Sequence, residues 1–196
     1  MTDEKAGTIR TIRPALTLFI VLWVITGIIY PLAVYAVGQL LFPEQAQGSL
    51  IYNKNGGVTG SKLIGQQFSS QKYFWSRPSA TPDYPYNPLA SSGSNLGPTS
   101  RKLMEDISNR TEYMLKTNDG SEIFSDLVMA SASGLDPHIS LKSAQMQAPR
   151  VAKARGIELE TIKGRIEEHA EKPVFGILGE ERVNVLLLNK ALDSLQ

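Results

Sequence analysis

No cysteine occurs in the 196 residues, which excludes a disulfide framework, a thiolate zinc site and a thiol nucleophile, and leaves the redox compartment open. Histidine is nearly as scarce. His138 and His169 are the only two, and their separation matches no metal-ligand spacing, so both are assigned to surface or capping roles. A surplus of either charge is missing as well: Lys and Arg number 20 against 19 Asp and Glu, for a net charge of +1. A nucleic-acid binder displaces counterions with a basic face, so no nucleic-acid partner is expected.

Charge is absent altogether from residues 14–43, PALTLFIVLWVITGIIYPLAVYAVGQLLFP. That run exceeds the roughly 20 residues a helix needs to cross the hydrocarbon core. A cleavable signal peptide is the rival reading, with Val34-Tyr35-Ala36 as a small-residue cleavage site. The apolar stretch, however, is about twice a signal core of roughly 7 to 15 residues and continues past that site. A retained anchor is therefore expected. Lys5, Arg10 and Arg13 precede the span and the next basic residue is Lys54, so the positive-inside rule puts the N-terminus in the cytoplasm. The resulting organisation is a cytoplasmic tail (1–13), a transmembrane helix (14–43) and an extracytoplasmic domain (44–196). Within the span, Gly27, Pro31, Val34 and Gly38 recur at spacings of four, three and four, which places them on one small-residue face suited to packing against other membrane helices. Pro31 lacks an N–H, and a bend is expected there.

The remainder reads as an α+β domain without a βαβ rhythm. Short strands are expected at 49–53, 62–64 and 73–76, separated by turn chemistry such as Asn55-Gly56-Gly57. Residues 76–99, SRPSATPDYPYNPLASSGSNLGPT, are too rich in Pro, Gly, Ser and Asn for a helix or a central strand. A loop of that length inside a compact domain is generally disordered or functional. Thr99 or Ser100 caps a helix to about residue 116. A strand at 126–130 follows, then a turn at SASGLDPHIS. A helix starts at Ser140, is kinked or broken by Pro149 and stops at Gly156. A third helix carries Leu159, Ile162, Ile166 and Ala170. Residues 183–188 suit a buried strand, with a short helix at 189–195.

Motifs for chemistry are weak. Ser69-Ser70-Gln71-Lys72 satisfies the S-x-x-K pattern of penicillin-binding serine hydrolases, but no S-D-N is present, and Lys116-Thr117-Asn118 stands where K-T-G is sought. Ser131, Ser133, Asp136 and His138 lie close in sequence, whereas triads are assembled from separate segments, so a turn is the simpler reading. The run from Gly56 to Lys62 lacks the Gly-Lys-Ser/Thr ending of a phosphate loop and reads as a hairpin turn.

Six blocks carry a resemblance: RPALTLFIVLWVITGIIYPL; GSKLIGQQF with YFWSRPSAT; PYNPLASSGSNLGPTS; LVMASASGLDPHIS; APRVAKARG; and GEERVNVLLLN. In this order, across nearly the whole chain, they resemble the C-subunit (KdpC) family of the bacterial Kdp-type potassium-transporting ATPase; only the region 117–125 looks shorter than in some members. The resemblance implies a four-part complex in the inner (plasma) membrane. In it a channel-like subunit selects potassium, a P-type ATPase subunit hydrolyses ATP with Mg, and small membrane subunits, this one included, assemble or stabilise them. It further implies a catalytic-chaperone role that raises the ATPase subunit's affinity for ATP. No cofactor of the chain's own and no catalytic residue are expected. The Asp-Lys-Thr-Gly phosphorylation motif of P-type ATPases does not occur. Loop 76–99, with Arg77, Tyr86 and Asn95 as contacts, is expected either to dock the domain on the channel-like subunit or to pack on its own domain. The alternative function is a membrane-anchored serine hydrolase using Ser69 and Lys72.

Overall fold

The computed structural model describes residues 2–53, 55–118 and 122–195, with side chains from residue 12 onward. The side chains of Lys5 and Arg10, residue Lys54 and part of the 117–125 loop lie outside the described residues. The chain divides into two compact units, Met1–Leu50 and Ile51–Gln196.

The first unit is helical. Helix α1 (Thr2–Val24) leads into a π-turn (Ile25–Ile29) and then helix α2 (Tyr30–Leu41), followed by the short α3 (Pro43–Ala46). Residues Ile12–Leu41 form a continuous 30-residue stretch long and apolar enough to cross a membrane, with none of its most apolar window buried. The irregularity expected at Pro31 is taken up one turn earlier. Pro31 cannot donate to the carbonyl four residues before it, that of Gly27. The backbone widens instead, and Tyr30 N–H donates to Ile25 O, five residues back.

The second unit is a mixed α and β domain, as the composition implies. Strands β1 (Leu50–Tyr52) and β2 (Val58–Ser61) form a two-stranded sheet. Asn53 Oδ1 accepts from the N–H groups of Asn55 (3.0 Å) and Gly57 (2.7 Å). Helix α4 (Arg101–Thr117) is capped by Ser100, whose side chain accepts from Leu103 N–H. A three-stranded antiparallel sheet has the order β3 (His138–Ser140), β5 (Arg182–Asn184), β4 (Ala170–Glu171). Ile139 and Ala170 both pair with the fully buried Val183. Helix α5 (Leu141–Arg155) and helix α6 (Leu159–Glu168) pack against it, with Ala144, Ala148, Val151, Ile162 and Ile166 in the core. Pro149 does not break α5, because it lies on the exposed face, where the carbonyl it leaves undonated can meet water.

Four of the expected strands do not form as read. At 126–130 a 3-10 turn (Ser125–Leu127) forms, which turns the Asp126 carboxylate onto the start of α5: it accepts from Ser140 N–H (2.7 Å) and Ser143 Oγ (2.5 Å). An acid at a helix N-terminus satisfies free donors and complements the dipole. The buried run 183–188 splits at Asn184, whose Oδ1 accepts from Leu187 N–H, so that helix α7 (Val185–Asp193) begins at once. Val185, Leu188 and Leu192 are fully buried at spacings of three and four, the helical period. Of the other two, 62–64 is a turn, and 73–76 is extended without a strand partner.

That extended segment holds the domain together. Gln147 and Asn189, both buried, act as side-chain substitutes for a neighbouring strand. Gln147 accepts from Trp75 N–H (2.8 Å) and donates to Trp75 O (3.2 Å), and Asn189 does the same for Phe74 at 2.8 and 2.9 Å. Arg150, only 6 % exposed, donates to Gln71 O (2.6 Å), Tyr73 O (3.0 Å), Asn118 Oδ1 (2.9 Å) and Gln147 Oε1 (2.8 Å), with its guanidinium 3.8 Å from the Trp75 ring centroid. Burial pushes the Arg150 pKa down to about 10, which keeps it protonated at neutral pH. Arg155 donates to Lys72 O (2.6 Å) and Leu192 O (3.1 Å) and pairs with Asp193 (2.8 Å). Arg150→Ala leaves several buried acceptors without donors, and a loss of about 3 to 5 kcal/mol is expected in denaturant unfolding of the full chain in detergent. Arg150→Lys recovers only part of it, because an ammonium cannot both fork and stack. Lys153→Ala, on the exposed face of the same helix, stays within about 0.5 kcal/mol.

Candidate functional site

Between β2 and α4 no helix or strand forms among the described residues, so loop 76–99 owes its shape to side chains. Ser79 Oγ donates to Gly134 O (2.8 Å) and accepts from Tyr86 N–H (2.9 Å). Thr81 Oγ1 donates to Tyr84 O (2.7 Å) and accepts from Asn87 N–H (3.1 Å). Ser91 Oγ and Ser92 N–H both donate to Ser133 O, at 2.9 and 3.0 Å. Hydroxyls thus supply partners that Pro-rich backbone cannot provide for itself.

The platform beneath the loop is the turn SASGLDPHIS. Ser131 Oγ accepts from Gly134 N–H (2.9 Å) and Ser133 Oγ from Leu135 N–H (3.1 Å). Asp136 Oδ1 accepts from His138 N–H (3.0 Å) and lies 3.3 Å from His138 Nδ1, while Oδ2 pairs with Arg77 at 3.1 Å. Burial works to raise the Asp136 pKa, but the hydrogen bonds from His138 and the charge of Arg77 outweigh it and hold the carboxyl below its usual value. His138 Nε2 stands 3.7 Å from Glu171, which pairs with Arg182 at 2.9 Å. Arg77, Asp136, His138, Glu171 and Arg182 thus run in a row across this face. Two glycines make the contact between loop and turn possible. A Cβ on Gly65 would overlap the Tyr86 ring and stand 2.9 Å from Asp136 O; Gly134, at φ +67°, would bring one within 2.6 Å of Ser92 O.

Loop and turn together draw Arg77 and Tyr86 into the domain. Tyr86 is 7 % exposed, has φ +61°, and donates its hydroxyl to Arg77 O; burial pushes its pKa up to about 12. Arg77 is engaged by Asp136. Asn95 is exposed, at φ +52°, a conformation Asn tolerates better than most side chains. Elsewhere on the same loop Tyr84 and Leu89 present exposed apolar surface, Leu89 at 90 %. A cavity of about 470 Å³ opens beside the loop, lined by Phe68, Trp75, Tyr86, Arg110, Tyr113 and Leu127 among others.

In the first unit Pro31, Val34 and Gly38 lie in α2 at helical spacing, whereas Gly27 falls inside the π-turn. The Trp23 indole covers Gly27: a Cβ there would stand 3.7 Å from Trp23 Nε1. Ser69 and Lys72 are both exposed, and Lys72 Nζ lies 5.1 Å from the Tyr73 ring centroid. Among the described residues no hydrogen bond joins Ser69 to Lys72. Ser131, Ser133, Asp136 and His138 are brought together as the turn described above. Sequence reasoning passed over residues 173–178, PVFGIL, whose apolar side chains stand in solvent; apolar residues around a glycine turn were the available signal.

Tyr86→Phe removes the hydroxyl from a part-buried carbonyl, and a loss of about 1 to 2 kcal/mol is expected. Its raised folded pKa means that Tyr86 contributes stability fully present below about pH 10 and lost as pH rises through about 12. Alkaline unfolding of Tyr86→Phe lacks that slope. Asp136 behaves oppositely. Its stabilisation is present above about pH 3.9 and is lost as pH falls through the depressed folded value, so the acid limb of Asp136→Asn flattens. Gly65→Ala forces the Tyr86 ring away and costs about 1 to 3 kcal/mol by overpacking.

Comparison with known proteins agrees with the resemblance noted in the sequence. A family model described as "K+-transporting ATPase, c chain" (KdpC) matches residues 12–194. Relatives bearing the name potassium-transporting ATPase KdpC subunit include one from Herminiimonas arsenicoxydans, 52 % identical over 186 residues (93 % of this chain, 97 % of the relative). One from Geobacter metallireducens is 50 % identical over 184 residues (94 % and 97 %), and one from Methylococcus capsulatus is 50 % identical over 190 residues (96 % and 100 %). With membrane-length helix and folded domain both inside the matched region, the chain belongs to the KdpC family of K+-transporting ATPase c chains.

Proposed function

We propose that the chain is the accessory subunit of a potassium-transporting ATPase in the inner (plasma) membrane, and that it assembles or stabilises the channel-like and P-type ATPase subunits alongside a small membrane subunit. The observation that carries this reading is the match over residues 12–194, which takes in the span and the domain alike. The exposed apolar helix Ile12–Leu41 supplies the anchor in the bilayer. The basic residues Lys5, Arg10 and Arg13 on its N-terminal flank support a cytoplasmic N-terminus and an extracytoplasmic domain. The small residues Pro31, Val34 and Gly38 of α2 form the contact to partner helices, while Gly27, in the π-turn, is covered by Trp23.

In this reading ATP and Mg belong to the ATPase subunit, and potassium is the cargo of the complex. The chain is non-catalytic. A domain outside the membrane cannot touch cytoplasmic ATP, so a catalytic-chaperone effect acts through the membrane helices, by favouring one conformational state of the partners. Loop 76–99 contributes docking surface through Asn95 and its exposed neighbours, with Arg77 and Tyr86 setting its shape from within.

Co-purification and potassium uptake test the proposal. Ser69→Ala and Lys72→Ala leave both unchanged; loss of uptake in Ser69→Ala with assembly intact overturns the accessory role in favour of a hydrolase. Gly38→Leu weakens co-purification without altering domain unfolding, because a bulky side chain replaces a small one where helices approach. The chain has no cysteine, so a lone Ser94→Cys, at an exposed site, reports topology. Labelling of intact cells, with outer barriers permeabilised, by a membrane-impermeant thiol reagent is expected; labelling confined to lysed cells refutes the orientation.

A further inference from the structure

The hairpin joining β4 to β5 ends in an apolar tip. Val174 N–H donates to Leu178 O (2.9 Å) and Leu178 N–H to Val174 O (3.0 Å), and Phe175 and Gly176 at the turn have φ of +56° and +72°. Phe175 is 89 % exposed, Ile177 83 %, Leu178 63 % and Val174 59 %. Phe175 and Ile177 contribute little to the domain's own core, and two backbone hydrogen bonds close the turn that carries them. A phenylalanine in the left-handed region is uncommon and strained. Such a rigid, outward-facing apolar cluster is characteristic of a binding surface.

The charges around the tip discriminate between occupants. Arg182 is paired with Glu171, while Glu180 and Glu181 lie beyond salt-bridge distance of any basic group among the described residues; Lys172 stands in the same hairpin, and the exposed Lys142 of α5 lines one surface pocket with both glutamates. Within residues 172–181 two carboxylates stand against one ammonium, so the hairpin itself is net acidic. Segments that lie on membranes combine apolar residues with Lys and Arg, the opposite of this hairpin. A second copy of the chain would bring the same carboxylates face to face. A protein surface with an apolar cleft bordered by basic residues satisfies both components.

We propose that the tip Val174–Leu178 inserts into an apolar, basic-rimmed cleft on the extracytoplasmic face of a partner subunit, forming a contact separate from loop 76–99. This rests on the reading of the chain as a subunit of a larger assembly. The test uses the complete complex. Phe175→Ser combined with Ile177→Ser is expected to leave unfolding of the full chain in detergent unchanged and to speed exchange of the bound chain against labelled wild type by about tenfold or more, the scale of a hot-spot contact. Glu180→Lys with Glu181→Lys accelerates exchange as well, more strongly at low salt. A benzophenone amino acid placed at position 177 forms an adduct with a partner subunit. Adducts with lipid or with a second copy overturn the proposal, as does an unchanged exchange rate in the double serine variant. If the wild-type chain fails to co-purify with any partner, the subunit reading itself fails, an outcome distinct from a wild-type complex that ignores the tip.

Discussion

The domain depends on one constraint: a stretch of backbone with no strand partner, residues 71–76, passes through the interior and must have its N–H and C=O groups satisfied. Unpaired, each would cost free energy comparable to a lost hydrogen bond. Side chains from two helices meet the need. Gln147, Arg150 and Arg155 of α5 and Asn189 of α7 converge on Lys72 to Trp75, and the ring of Trp75 lies against the Arg150 guanidinium. A guanidinium suits the task because its planar fork can address several carbonyls at once while stacking on an aromatic face. The sheet is small; these polar contacts tie the long irregular half of the domain to its helical half.

The same economy explains the loop that follows. Hydroxyls of Ser79, Thr81 and Ser91 stand in for backbone partners: Thr81 closes the loop on its own Tyr84 O, and the turn at 131–138 receives Ser79 and Ser91 through Gly134 O and Ser133 O. Arg77 and Tyr86, side chains of the kind that anchor interfaces, are used internally, one paired with Asp136 and the other buried against Gly65. What the domain offers outward is different in kind: Asn95 and Leu89 on the loop, and the apolar tip beyond β4. Interface chemistry and interior chemistry use the same residue types, and only burial separates them.

In the membrane-length helix a single missing donor has a similar reach. Pro31 leaves the Gly27 carbonyl without an α-helical partner, and the chain responds with a π-turn in place of a sharp break. A π-turn accommodates one extra residue within the helix, so Gly27 no longer keeps α-helical register with Pro31, Val34 and Gly38.

Features governed by local chemistry could be read from the residues alone. The uncharged run 14–43 had to be a long apolar helix. Ser140 as a cap and Gly156 as the end of α5, where it adopts φ +65°, were legible beside the apolar-periodic segments they bound, and the first cap was narrowed to Thr99 or Ser100, of which the structure uses Ser100. Family membership was equally legible, carried by long ordered blocks. Non-local competition decided the rest. Residues 126–130 and 183–188 have strand-like composition, yet the carboxylate of Asp126 was needed at the start of α5, and Asn184 could cap a helix whose apolar residues fit the core at a period of 3.6. Tyr86 and Arg77 look like contact residues in a flexible loop until Gly65 and Asp136, distant in sequence, are brought beside them. Helix caps and long apolar helices are decided by contiguous residues, so the sequence determines them. Burial, and with it the difference between an anchor of the fold and an anchor for a partner, is set by which distant segments share the same space, and only the tertiary structure determines that.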